Sequence, residues 1–368
     1  MFNPLLGVVF HWIGGLASAS FYVPYRGVRR WSWEVFWIIG GLFSWIIAPW
    51  LFALIQTNDL FGVLAATPGR TWFWCVVFGL LWGTGGLTFG LTIRYLGISL
   101  GTSVALGLTA AFGTLIPPIV SGEFFTSLLP STGGQIVLAG VLVALAGIAV
   151  IGFAGRAKER HQADGRAPGS TAHDFKRGMA VAVFSGIMSA CFAYGLAAGE
   201  PIRQATLTAG TDPLMQGLPV LCVVLLGGFA TNALWCAYLI AKNRSAAQFV
   251  GAASTHAATD GGPTVYGERF GRSPLLRNYL LSALGGTVWY FQFFFYTMGE
   301  SQMGRYGFSS WTIHMASIII FASLWGIGLN EWRGSGGRAK ALLTIGLAIL
   351  IGSTVVIGWG NAISSGSM

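Results

Sequence analysis

Two histidines lie inside long apolar runs of this chain. His11 sits beside Trp12 near the amino terminus, and His314 follows Trp311 by three residues, which puts both on one helical face. An ionisable group in a hydrocarbon core is costly, so it is a functional candidate by default. Imidazole changes charge near neutral pH, which suits His314 and His11 to carry a coupled proton. A third feature is the stretch Trp289, Tyr290, Phe291, Gln292, Phe293, Phe294, Phe295 and Tyr296. An amide such as Gln292 deep in an apolar run must face a helix bundle or a wet cavity, because leaving it without partners is expensive. Aromatic faces accept the C–H surfaces of a small neutral sugar, and the amide and hydroxyls answer its polar groups. Trp12, Tyr22, Trp82, Thr88, Tyr194, Asn232 and Trp311 extend this substrate-binding set. A permanent anion is not expected as substrate, because no central arginine or lysine accompanies these residues.

The remaining chemistry lies near the ends of the apolar runs. Glu34, beside Trp31 and Trp33, and Glu331, beside Trp332, are interface anchors that can pair with nearby arginines as a gate. Arg94 beside Tyr95 is a further gate or interface candidate. Glu123, Glu200, Asp212 and Glu300 are expected to be solvated. The four cysteines lie in apolar segments without CxxC spacing, so buried thiols are expected, with neither disulfides nor a metal site. No GxxxxGK[ST] is present and no GxGxxG follows a strand, so no nucleotide or other cofactor is expected. No catalytic cluster is evident, and an enzyme is not expected.

These residues need elements that cross a membrane. The chain has 368 residues, 54% hydrophobic and only 9% charged, against about a quarter charged in a soluble domain. Runs of about 20 apolar residues match a hydrocarbon core of about 30 Å. Ten such spans are expected near 5–24, 36–56, 72–92, 102–121, 135–154, 178–198, 214–240, 279–298, 309–329 and 340–360. Positive charge falls in alternate gaps. Arg26, Arg29 and Arg30 follow the first span, and Arg94 follows the third. Arg156, Lys158, Arg160, Arg166, Lys176 and Arg177 follow the fifth. Lys242, Arg244, Arg269, Arg272 and Arg277 follow the seventh, and Arg333, Arg338 and Lys340 follow the ninth. The other gaps hold only Arg70, Arg203 and Arg305. The richer side should be cytoplasmic, which places both termini in the periplasm. The net charge of +9 is thus assigned to loops near anionic lipid and not to nucleic-acid binding.

The two halves echo one another at a five-span offset. Tyr22 lies in Ser-Ala-Ser-Phe-Tyr of the first span and Tyr194 in Ser-Ala-Cys-Phe-Ala-Tyr of the sixth. Trp82 precedes Gly97 by the same spacing as Trp289 precedes Gly304. Five is odd, so the second unit enters the membrane from the opposite side. The expected fold is therefore an all-α integral membrane protein of ten transmembrane helices in two inverted five-helix repeats. Residues 1–155 form the first repeat, 156–177 a basic linker and 178–368 the second repeat, with a long cytoplasmic loop at 241–278. Inverted repeats commonly enclose a central site exposed to each side in turn.

The motifs FHWIGGLASASFYVPYRGVRRWSWE, WGTGGLTFGLTIRYLGISLG, GTLIPPI, GGTVWYFQFFFYTMG and SWTIHM, with the late EW before GGR, resemble the bacterial L-rhamnose–proton symporter family of the drug/metabolite transporter superfamily. The resemblance runs from about Phe10 to the last span. It implies proton-driven uptake of L-rhamnose or a closely related deoxy-sugar across the inner membrane by alternating access. A drug, metabolite or amino-acid exporter of the same fold is the alternative. The family motif carries asparagine, asparagine and tyrosine where this chain has Gly86, Thr88 and Phe89, and Glu123 replaces a neutral residue. Loss of those amides and a hydroxyl bears on specificity, because hydroxyl-reading sites discriminate through polar partners.

Overall fold

The computed structural model describes residues 2–162, 172–251 and 274–366. Residues 163–171 of the basic linker and most of the 241–278 loop, including Arg166, Arg269 and Arg272, therefore lie outside the described residues. Among those described there are helices and no strand. Inside a bilayer, a helix satisfies its own backbone polar groups. The described residues form ten long helices: α1 Pro4–Ser20, α2 Trp33–Gln56, α3 Gly69–Leu96, α4 Ile98–Val120, α5 Thr132–Gln162, α6 Ala172–Ala198, α7 Leu218–Asn243, α8 Leu275–Gln302, α9 Ser310–Gly328 and α10 Gly337–Ser364.

Nine helical segments among the described residues are long and apolar enough to cross a membrane, and α8 is not one of them. The expected ten spans thus stand at nine by length and composition. The 28 residues of α8 extend about 42 Å, beyond a hydrocarbon core of about 30 Å. Its sequence mixes the apolar run with Asn278, Ser282, Gln292, Thr297 and Glu300, and that lowers its hydropathy.

Local sequence shapes the elements that hold the candidates. Asn3 caps α1 by accepting the Leu6 N–H at 3.1 Å. In α2, residues Phe43–Ile47 form one turn of π-helix just before Pro49. A proline cannot donate to the carbonyl four residues back and its ring crowds that carbonyl, so the wider turn relieves Trp45 of a clash. In α4, Pro117 and Pro118 likewise free the carbonyls of Gly113 and Thr114 from their helical donors.

Packing is paired. Helix α1 lies against α8 and α9, and α6 lies against α3 and α4. Helix α7 packs on α3, and α2 packs on α8. The partners α2 with α7, α4 with α9 and α5 with α10 meet directly. Connections gather at two poles. At one, Arg29 N–H donates to Asn278, Trp31 and Ser32 donate to Gln248, Lys158 Nζ sits 4.9 Å from the centre of the Trp332 ring, and His161 abuts Gly336. At the other, Asn58 bonds Gly210 and Thr211, Arg305 donates to Ser127, and Gly304 lies beside both Phe2 and Ser365. Phe2 and Ser365 therefore share the pole that holds Arg203 and Arg305.

Candidate functional site

Helix α8 presents Trp289, Gln292, Tyr296 and Gly299 at three- and four-residue spacing along one face. Helix α1 approaches that face through small residues. A Cβ on Gly14 would lie 3.0 Å from the Gln292 carbonyl oxygen and 3.3 Å from His314 Cε1. A Cβ on Gly299 would lie 2.8 Å from His11 Nε2 and Cε1, so glycine there is what admits the imidazole. The result is a buried cluster. His11 and His314 have ring centres 6.2 Å apart, and Tyr296 stands 5.3 Å from the first and 5.2 Å from the second. Trp311 closes it at 5.7 Å from Tyr296 and 6.4 Å from His314. Both histidines are buried, at 0% and 1% exposure.

Helix α4 fixes Trp311 from behind. Its indole N–H donates to the Thr109 carbonyl at 2.9 Å, and its ring fills the space left by Gly113. One turn on, the Thr114 and Thr312 hydroxyls meet at 2.7 Å. Asn361 of α10 donates to Ser309 at 3.0 Å and pins the start of α9. With α9 fixed on two sides, the rotation that aims His314 inward is set by packing.

From this cluster an aromatic column runs toward the other pole. Trp311 stacks on Phe192 at 5.8 Å, Phe192 meets Phe293 at 4.7 Å, and Trp82 lies 5.0 Å from Phe192 and 5.5 Å from Phe293. Trp45 stands 6.2 Å from Trp82 and 6.2 Å from Trp37. Trp289 is 4.1 Å from Phe21, and Trp37 donates to Asn232 at 3.2 Å. The crevice among Phe21, Tyr25, Trp37, Ser44, Trp45 and Trp289 measures about 10 Å³, about what one water needs.

Polar atoms without a protein hydrogen-bond partner concentrate here. Among the described residues they include both ring nitrogens of His11 and of His314, the indole nitrogens of Trp12, Trp45 and Trp289, the Tyr290 hydroxyl and Gln292 Nε2. A buried polar group left without any partner costs about 1–3 kcal/mol. Such atoms have capacity left for a substrate, water or a proton.

Other candidates are placed elsewhere. Tyr290 is fully buried but stacks on Phe52 of α2 at 5.7 Å, off the Trp289–Tyr296 face. The Tyr194 hydroxyl is spent on the Phe112 carbonyl at 3.0 Å, tying α6 to α4. The Thr88 hydroxyl bonds back to the Thr84 and Gly85 carbonyls of its own helix. Tyr22 packs on Phe21 at 4.4 Å at the end of the column and is 40% exposed. Trp12 turns to Phe321 of α9 at 6.4 Å. Glu34 is buried and accepts from Asn243 at 3.1 Å and Ser245 at 2.8 Å, while Arg94 and Glu331 stand exposed at the ends of α3 and α9. Glu300 departs from expectation. Instead of being solvated it is largely covered and takes a 2.7 Å ion pair from Arg203, one turn beyond Tyr296.

A family model described as L-rhamnose-proton symport protein matches residues 1–363. The chain is 36% identical to the L-rhamnose-proton symporter of Citrobacter koseri over 363 residues, covering 97% of this chain and 98% of the relative. It is 37% identical to that of Mannheimia succiniciproducens over 361 residues, with the same coverage. The chain belongs to the L-rhamnose-proton symport protein family. It is accordingly a transport protein and not an enzyme, and a multi-pass protein of the bacterial inner membrane.

For this symport-family chain, sequence reasoning missed Trp37, Trp45 and Phe192 of the column and the Arg203–Glu300 pair. Trp33 and Trp37 do carry a signal, the four-residue spacing that stacks their rings at 5.1 Å. Phe192 carried only its place in the echo of Phe21, since a phenylalanine in an apolar run is otherwise ordinary packing.

Proposed function

We propose that the chain takes up L-rhamnose or a closely related deoxy-sugar together with a proton, by alternating access. Membership of a symport family supports this, and one structural observation carries the mechanism. The His11–Tyr296–His314 cluster sets two imidazoles, groups able to exchange a proton, against an aromatic face, and among the described residues their ring nitrogens have no hydrogen-bond partner. His314 or His11 takes the proton from outside. Trp289, Gln292, Tyr296 and Trp311 hold the sugar beside them, with Trp82 and Trp12 at the margin. The proton leaves on the inner side and the sugar follows. The aromatic crevice holds about one water, so a sugar passes only if α2 and α8 separate. Alternating access supplies that separation.

In this reading α8 is the tenth span. Helix pairs repeat at an offset of five: α1 with α8 answers α6 with α3, and α1 with α9 answers α6 with α4. That pairing supports two inverted repeats, residues 1–155 and 178–368, joined by the basic linker at 156–177. The positive-inside rule then places the Arg29 pole in the cytoplasm and both termini in the periplasm. Gly86 has open space where a Cβ would stand, and Thr88 spends its hydroxyl internally. This part of α3 offers a sugar fewer polar partners than the asparagines of the family motif, which supports a relaxed choice among deoxy-sugars. Glu34, with Asn243 and Ser245, is assigned to the inner gate.

The test is uptake by reconstituted vesicles under an imposed pH gradient, with a panel of competing sugars. Rhamnose or a related deoxy-sugar should accumulate when the outside is acid and should carry protons inward. Absence of sugar-dependent proton movement sinks the proposal, and outward flux of apolar compounds would install the exporter.

A further inference from the structure

A second cleft opens far from the histidine cluster, at the Arg29 pole, where the end of α5 meets the start of α10. Its volume is about 750 Å³. Arg156 and Arg160 line it from successive turns of α5, His161 follows them, and Arg338 enters from the first turn of α10. Among the described residues no carboxylate lines the cleft, and no ion pair joins these arginines to an acid. The nearest acid in sequence, Glu159, has its carboxylate beside Gly97 of the α3–α4 junction. Like charges one turn apart repel, so Arg156 and Arg160 favour an anion between them and Arg338.

The backbone adds to this field. Gly336 caps α10 with no side-chain hydrogen bond, so the first amides of a 28-residue helix point outward uncapped beside Ser335 and Arg338. Free amides and the positive end of the helix dipole favour a phosphate there. The lower wall is apolar: Phe153 is 57% exposed, and Leu342 lies one turn below Arg338. A cleft that is cationic at its rim and apolar below it matches a phosphate that carries acyl chains.

We propose that the α5–α10 cleft is a phosphate-binding site filled by the headgroup of an acidic phospholipid of the inner leaflet. The arginines take the phosphate oxygens, with planar guanidinium donors suited to paired contacts. The acyl chains run down over Phe153 and Leu342. The lipid thereby bridges the helices that close each half of the chain.

The purified full chain is placed in phosphatidylcholine nanodiscs containing a minor fraction of phosphatidylglycerol, and retained lipid is counted by native mass spectrometry. Wild type should keep phosphatidylglycerol selectively. The triple variant Arg156→Gln, Arg160→Gln, Arg338→Gln should lose that retention, by about fivefold for each charge removed. The triple lysine variant should keep most of it. Equal retention in wild type and the glutamine triple overturns the proposal. If the triple does not fold, Arg338→Gln alone should still cost about fivefold, and no loss there overturns it equally. A separate arm adds inorganic phosphate. If phosphate raises the melting temperature of wild type and not of the triple, while phosphatidylglycerol is not enriched, the phosphate site stands and its lipid source falls.

Discussion

At the scale of single residues, the two histidines differ in chemistry from the aromatics around them. The rings of His11 and His314 can exchange a proton, while Tyr296, held between them at about equal distances, can only donate or accept through its hydroxyl. If His314 carries the coupled proton, His314→Ala should abolish accumulation driven by a pH gradient yet keep sugar counterflow, which needs no net proton movement. Unchanged accumulation would remove His314 from the coupling step and leave His11→Ala as the next variant to measure. A charge pair one turn away sets a stability test. Arg203 and Glu300 are only 13% and 16% exposed, so Arg203→Ala strands a covered carboxylate and should cost about 3 kcal/mol in detergent unfolding. Replacing both by apolar residues should restore most of that. A double variant as unstable as the single one would show that the loss is packing and not charge.

At the scale of elements, small residues decide how closely the helices come. Helix α1 reaches α8 and α9 because Gly14, Gly15 and Gly299 carry no Cβ; one on Gly15 would overlap the backbone of Ser317. Gly299→Ala puts a methyl group 2.8 Å from the His11 ring, so it should destabilise the fold by about 1–3 kcal/mol and impair coupling together. Gly352→Ala on α10 meets nothing within 4 Å and should be neutral or slightly stabilising, since alanine is the better helix former. Equal effects of the two changes in thermal unfolding would mean that helix propensity, not close approach, governs these glycines. The π-helical turn in α2 belongs to the same scale. It turns Trp45 into the aromatic column and follows from Pro49.

At the scale of the whole molecule, the alternate gaps meet at opposite poles, and the proposed sidedness follows from which pole is basic. A cleavable tag at the carboxyl terminus should be removed by protease added to right-side-out inner-membrane vesicles. Arg333→Cys should react with an impermeant thiol reagent only after lysis. The background is low, because Cys75, Cys191, Cys222 and Cys236 are all buried. The reverse pattern would invert the whole assignment, including the proposed direction of proton entry.

Class and candidate chemistry were legible in the chain itself. A run of about 20 apolar residues fixes a helix, because lipid leaves backbone groups no other partner, and a histidine or glutamine inside such a run stands out because its burial is costly. The charge alternation marked which gaps belong together. Helical phase was not legible. Membrane helices are apolar toward lipid and toward one another, so hydrophobic periodicity does not mark the inward face, and one residue rotates a side chain by about 100°. Tertiary packing alone decided that His11 and His314, three hundred positions apart, share a cluster with Tyr296, while Tyr290 and Tyr194, equally aromatic and equally apolar in context, turn to Phe52 and to the backbone of α4.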